Sequence, residues 1–540
     1  MAQFLDIFGF LSVLIRGATL SLGAIAVGGV IFAFIAGRDF TMPPSGKKLL
    51  TITAFCLAAT QAFYVFANSA ILSATTNLRL SELAGASYFL WGSASACAAI
   101  ALGLLSAINP PRAKAWELVC SAVILSATVA TSHAAARLDD QAILIAATAG
   151  HQLAAAAWIG GLPYLLLTLR KHSESLPEAI AVCKRFSNLA VGSVLLLFAA
   201  GVTLSVFYIG DPSGIYGTTY GIMVCAKTVL FALILVLGGI NFRLIRSHGQ
   251  NGAVWLARLR RIGEAEIGIG LTVLLAAASL TSQPPASDLT NNRVDLPTIV
   301  QRMSPAVPRM YTPPLSTLSP STRERWKKEH PPNTSGAQAY VPGENQYVPS
   351  TEGDILWSEY NHHWAGLVVL VMGILAVLAR FRWFAWAKHW PIAFIGLAAF
   401  LLLRADPENW PLGPSGFWES FTSADVTQHR LFVLLILLFA GFEWCVQTGR
   451  LSASKAALVF PGVCALGGAL LLTHTHALSN LKEELLAELS HIPLALLAVT
   501  AGWARWLDLR FPGPGRKIAA RVWPVCFALI GVVLLLYREA

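Results

Sequence analysis

Residues 187–209 read SNLAVGSVLLLFAAGVTLSVFYI, without a single charged side chain. Lys184 and Arg185 precede the stretch and Asp211 follows it. At about 1.5 Å rise per residue, some 20 apolar residues cross the ~30 Å hydrocarbon core of a bilayer, so a transmembrane helix is expected here. Working outward in both directions, similar apolar segments run at 10–36, 49–73, 84–107, 115–133, 141–169, 219–242, 262–281, 362–379, 390–403, 430–446, 456–476, 489–506 and 521–537. The composition agrees: 55% hydrophobic, 13% charged and a mean hydropathy of +0.60, where a soluble domain carries about 25% charged residues. The expected fold class is all-α, a polytopic integral membrane helical bundle of about 14 transmembrane helices in contact with membrane lipid. The only early charge is Asp6, so the first segment reads as a retained span and not as a cleaved signal with a basic leader.

The formal net charge is +10, yet its distribution argues against nucleic acid as a partner. Lys and Arg number 22 in the short odd-numbered loops and four in the short even-numbered ones. The positive-inside rule therefore puts the odd loops in the cytoplasm and both termini outside. Eight cysteines stand singly, with no CxxC spacing, so neither a zinc site nor a disulfide framework is indicated.

Residues 282–361 break the rhythm, holding 12 of the 28 prolines. Such composition favours extended or disordered chain. The expected organisation is an eight-span N-terminal membrane domain over 1–283, a Pro-rich outer loop over 284–355 and a six-span C-terminal membrane domain over 356–540.

Three ionisable residues fall near mid-depth: His151 in the fifth span, Lys227 in the seventh and Glu266 in the eighth. Isolated charges there cost at least ~2.5–3.5 kcal/mol each on insertion scales, so they face the bundle interior and pair. Glu266 neutralising Lys227, with His151 nearby, is the simplest arrangement. Two readings stay open, an ion pair that only fixes helix packing and a translocation or proton pathway.

The same residues carry a resemblance. His151-Gln-Leu-Ala-Ala-Ala-Ala-Trp158-Ile-Gly160-Gly161 is similar to the His-x6-Trp-x-Gly-Gly signature of the copper resistance D (CopD) membrane domain. Arg185-Phe186-Ser187, then Thr219-Tyr220-Gly221, Lys227 and Asn241-Phe242-Arg243, and finally Glu266 before Pro284-Pro285, follow that domain's order over roughly residues 140–285. Phe242 between Asn and Arg is a departure. The resemblance implies a multi-pass protein of the bacterial inner (plasma) membrane, linked to copper uptake or copper resistance. It further implies a separate periplasmic CopC-like copper-binding partner, since no such domain is visible in this chain. Trp357-Ser-Glu-Tyr-Asn-His-His-Trp364 and Phe417-Trp418-Glu419 resemble the C-terminal extension of one CopD branch, with no residue roles attached.

The topology places His133, His330, His362, His363, His429, His474, His476 and His491 at the outer face. Imidazole is the commonest protein metal ligand, and helix bundles build metal and haem sites from facing helices. Interfacial histidines also snorkel to headgroups without binding anything. His474 and His476 point about 200° apart on an ideal helix, so one of them with His429 and His491 is the more natural set. Met223 and Cys225 lie near the outer end of the seventh span as soft-ligand candidates on the transport pathway. Met223 reads equally well as core filler. Six methionines without a Met-x-x-Met pair argue against a methionine ladder.

Three functions are weighed. The first is copper transport or handling, with Cu+ or Cu2+ captured by the outer histidines and passed inward near His151. No Walker-type loop or phosphorylated-Asp motif is present to drive it with ATP. The second is a membrane cytochrome with haem b held by pairs such as His429 with His491 or His133 with His151. The third is a scaffold that docks periplasmic copper carriers through the Pro-rich loop. No nucleophile elbow or HExxH motif supports an enzyme.

Overall fold

The structure is a computed structural model that describes residues 2–35, 42–76, 78–171, 175–247, 252–291, 293–318, 351–422, 424–451, 455–473, 481–513 and 515–539. Among them there are helices and no strand. Thirteen helices are long and apolar enough to cross a membrane, and a shorter apolar helix spans Lys455–Leu471. The chain is thus an all-α, multi-pass membrane bundle. It divides into two compact units, one made of Met1–Arg293 and the other chiefly of the chain from Val294 onward.

The N-terminal unit contains α1 (Ala2–Ile35), α2 (Pro44–Thr76), α3 (Ser87–Ile108), α4 (Ala113–Ala130), α5 (Gln141–Ala155), α6 (Leu176–Ile209), α7 (Thr219–Arg246) and α8 (Gly252–Ser282). The opening stretch 187–209 forms the last two-thirds of α6. After α5 the backbone passes through a π-turn at Ala156–Gly160 before continuing as Leu162–Lys171. A π-turn inserts one residue into the ladder and is found mostly at functional sites. Here it coincides with the Trp158-Ile-Gly-Gly161 motif. α1 packs directly on it. A Cβ at Gly160 would stand 1.9 Å from the Ala24 carbonyl oxygen, and one at Gly28 would stand 2.3 Å from that of Ala156. Only glycine lets these backbones approach so closely, as small residues do wherever membrane helices cross tightly.

The C-terminal unit contains α9 (Glu352–Leu378), α10 (Ala393–Arg404, entered through a 3-10 segment at Arg382–Ile392), α11 (Ala424–Gln447), α12 (Val459–Leu471), α13 (Leu481–Arg510) and α14 (Arg516–Leu535). Thr351 and Asp354 form a reciprocal capping box at the start of α9, satisfying backbone donors that the first turn leaves open. The core is aromatic, with Trp390, Phe394, Phe460, Trp523 and Phe527 packed around Met372.

Part of the Pro-rich segment corrects the expectation of extended, unpacked chain. Residues 294–318 form a short helix at Leu296–Met303 and a 3-10 turn at Leu315–Leu318, and they dock on α9. Trp364 Nε1–H donates to the Met310 carbonyl at 3.1 Å, and Thr312 bonds Tyr360 at 3.2 Å. Composition misses this because the docking is made by single polar groups and by Leu318 against Trp357 and Tyr360, and not by an apolar run.

Candidate functional site

The polar residues of the spans gather in two places, one in each unit. In the N-terminal unit, α5 carries His151 one turn before the π-turn. Its ring faces α6, where Gly201 leaves room: a Cβ there would stand 4.0 Å from His151 Cε1. His151 Nδ1 is buried without a hydrogen-bond partner among the described residues. Lys227 of α7 is its charged neighbour. Trp158 is 3% exposed and meets Phe231 of α7 edge to face at 6.3 Å.

Glu266 corrects the expected pairing. It is 2% exposed, but no Lys227–Glu266 ion pair exists among the described residues. Its Oε1 instead accepts from Asn241 Nδ2 at 2.5 Å, and its Oε2 lies 3.8 Å from where a Cβ at Gly238 would be. The physical reason is separation along the helix axis. Lys227 and Asn241 both lie on α7, about four turns apart at ~3.6 residues per turn, so a side chain at the Asn241 level of α8 cannot also meet Lys227. Asn241 was legible only as part of a motif, because an amide gives no charge signal. Its Oδ1 has no partner.

Met223 is fully buried and Cys225 is exposed. Two residues apart on one helix, they face different ways and do not form one soft site. His133, just beyond α4, lines a cavity of about 270 Å³ with Arg16, Tyr64, Thr131 and Thr281. Burial pushes its imidazole below the usual range.

In the C-terminal unit, α9, α13 and the segment after α14 converge on Tyr537. His362 stacks on the Tyr537 ring at 3.9 Å and 20°, and His491 meets the same ring edge-on at 6.0 Å and 70°. His362 Nδ1–H donates to the Ser358 carbonyl at 2.8 Å. That bond fixes the tautomer and leaves Nε2 as the acceptor nitrogen. Ser358 in turn donates to Glu539, as does the Tyr537 hydroxyl at 3.0 Å. Burial pushes the Tyr537 phenol well above its usual range.

His363 is a different case. Its Nδ1 accepts the Arg309 backbone N–H at 2.7 Å, so its Nε2 must donate, which it does to the Tyr537 carbonyl at 2.8 Å. Both nitrogens are used, and His363 is a structural clamp, which corrects its place among the candidate ligands. His429 sits apart, with Nδ1 2.8 Å from Asp406 Oδ1. His330, His474 and His476 lie outside the described residues. Among the described residues no three His, Cys, Asp or Glu side chains stand ready to hold a metal ion.

Two features escaped the sequence reading. Glu488, one turn before His491, is 1% exposed, and its Oε2 has no partner. The Glu-x-x-His spacing could have pointed to it, since residues three apart share a helix face. Near the opposite ends of α11 and α13, Arg505 bridges Glu443 at 2.8 Å and Asp508 at 2.7 Å, and Asp508 also takes Arg380 and Trp523 Nε1–H. Glu443 and Arg505 lie inside the apolar segments 430–446 and 489–506, and Arg380 and Asp508 just beyond segment ends.

Comparison with known proteins follows this geometry. Residues 180–280 match the family model described as Copper resistance protein D. The chain is also 30% identical over 192 residues to the Copper transport protein CutJ of Bacillus subtilis (strain 168). That alignment covers 34% of this chain and 34% of the relative, so the chain spans about a third of the length of that curated protein. No solved structure matches. The matched stretch holds Gly201, Lys227, Asn241 and Glu266, the residues around the His151 ring and the buried carboxylate. Through residues 180–280 the chain is similar to the copper resistance D family.

Proposed function

We propose that this protein moves copper across a bacterial inner membrane, in uptake or in copper resistance. One observation carries the reading: a buried imidazole, His151, keeps an unpartnered Nδ1 inside the spans, against helices of the copper resistance D stretch. Imidazole ligates copper in either oxidation state, and buried ring nitrogens are ordinarily satisfied. Intramembrane ionisable groups mark ion pathways more often than they serve packing alone. Outer-face histidines capture the ion, and a separate CopC-like carrier delivers it. Glu266, buried without a cation partner and held by Asn241, is the group that takes up a proton as copper passes. No catalytic turnover is part of this reading.

The test is copper accumulation in cells carrying His151→Ala at matched protein level. A marked loss supports the path, and unchanged accumulation sinks it. One observation favours a second reading. His362 and His491 flank one ring, and paired imidazoles also hold b-type haem. An absorption spectrum of the purified protein separates the two, since haem gives a Soret band and copper transport requires none.

A further inference from the structure

We propose that the cavity between α1, α2, α8 and the turn that follows α4 binds a phosphate group, with Arg16 as its anchor. The site stands apart from the copper reading and uses residues that the His151 site does not include.

Charge decides the ligand class. Arg16 of α1 is the only Arg or Lys that lines the cavity. Tyr64 of α2, Thr131 and His133 after α4, and Thr281 and Ser282 of α8 lie around it, and no acidic side chain does. A guanidinium carries five N–H donors. Arg16 Nη1 and Nη2 both reach one neutral acceptor, Thr131 Oγ1, at 3.5 and 3.4 Å, longer than the ~2.7–3.2 Å of an ordinary N–H···O bond. No carboxylate among the described residues pairs with it. Asp288 lies within electrostatic reach of His133, but Arg137 holds that acid while lying over the Tyr208 ring at 5.5 Å.

The hydroxyls leave Arg16 and Tyr64 as the donors. Thr131, Thr281 and Ser282 donate to carbonyls of their own helical turns at 3.0, 2.9 and 2.6 Å. The Tyr64 hydroxyl has no hydrogen-bond partner among the described residues. A charge held within a helix bundle without a counterion is costly, and a cavity of about 270 Å³ has room for an anion to supply one. Arginine suits phosphate because its planar fork bonds two oxygens at once. Copper has the wrong sign for this place. His133 lies within electrostatic reach of Arg16, so the guanidinium repels a cation on that imidazole. His133 thus belongs to the anion cavity and leaves the set of histidines proposed to capture copper. A free phosphate ion and a phospholipid headgroup offer the same chemistry, and basic pockets between membrane helices accept headgroups.

The experiment uses the full chain, stripped of lipid, in a non-ionic detergent. Thermal unfolding is followed as inorganic phosphate is added against sodium chloride of equal ionic strength, and separately as short-chain phosphatidylglycerol is added against further detergent. The proteins are the wild type, Arg16→Gln, Tyr64→Phe and, as a control, Arg382→Gln at an exposed position of the C-terminal unit. A ligand that binds only the folded protein raises the midpoint in a saturable way. The expected result is such a rise in the wild type and in Arg382→Gln, an affinity weaker by about tenfold or more in Arg16→Gln, and a smaller loss in Tyr64→Phe. A rise with inorganic phosphate supports the site with a free anion as sufficient ligand, and a rise with the lipid alone supports it with the headgroup as source. In parallel, wild-type arginines are modified with phenylglyoxal with and without each probe and mapped by mass spectrometry. Arg16 should be shielded and Arg382 should not, which decides the matter even if Arg16→Gln fails to fold. No saturable rise with either probe, an undiminished rise in Arg16→Gln, or equal modification of Arg16 with and without both probes overturns the site and leaves a cavity that holds only water.

Discussion

Glu266→Gln should separate stability from transport. The carboxylate is 2% exposed, and its one hydrogen bond comes from Asn241 Nδ2 at 2.5 Å, with no cation near it among the described residues. An unpaired charge at this depth costs at least ~2.5–3.5 kcal/mol on insertion scales, while a hydrogen bond to a charged group returns about 1.5–3 kcal/mol. The two terms nearly cancel, so a neutral amide of the same shape should leave unfolding resistance unchanged or raise it by up to ~1–2 kcal/mol. Asn241→Leu should do the opposite. It strips the carboxylate of its donor and lowers stability by about 1–3 kcal/mol. Combined with Glu266→Gln, it should cost less than alone, because no charge is left stranded; the coupling is what a double-mutant cycle measures. The assay is chemical unfolding of the four proteins in detergent beside copper accumulation in cells. Glu266→Gln should retain fold and insertion and lose most accumulation. Full accumulation refutes the pathway role. A strongly destabilised Glu266→Gln refutes the accounting, since it would mean that a hidden cation had been paired with the carboxylate.

Arg505→Met should destabilise the C-terminal unit by about 3–5 kcal/mol, because Glu443 is left buried and uncompensated while Asp508 keeps Arg380; Arg505→Met with Glu443→Gln should recover part of this in the same unfolding assay. Gly160→Ala should cost about 1–3 kcal/mol, as its Cβ meets the Ala24 carbonyl at 1.9 Å and α1 must move off the π-turn; an unfolding midpoint equal to wild type would contradict that close crossing. His133 is held below the usual imidazole range by burial, so above pH ~6.5 folded and unfolded forms are both neutral there. Below that value the unfolded chain binds the extra proton, and stability should fall with pH until the folded pKa is passed. His133→Asn should flatten that slope in unfolding measured from pH 7.5 to 5.

The separation between what was legible in the chain and what was not follows from the range of the forces involved. A membrane span is decided locally. Residues 187–209 are helical because every backbone N–H and C=O must be satisfied within the segment once water is absent, so the helical bundle and the placing of His151 and Glu266 within its helices follow from the order of residues. The copper resistance D motifs are local in the same sense. Partnership is not local. Glu266 chose Asn241 over Lys227 because α7 and α8 meet at that level, a consequence of packing and of position along the helix axis. The π-turn beneath Trp158 arises where Gly28 and Gly160 let two backbones touch. His362 and His363 are neighbours with identical chemistry, yet one keeps a lone pair and the other loses both nitrogens. A backbone amide near Arg309 and the tail after α14 decide it, groups far from either histidine in sequence. Hydrophobicity per residue sets which segments enter a bilayer; hydrogen-bond geometry across helices sets what each polar side chain within them is able to bind.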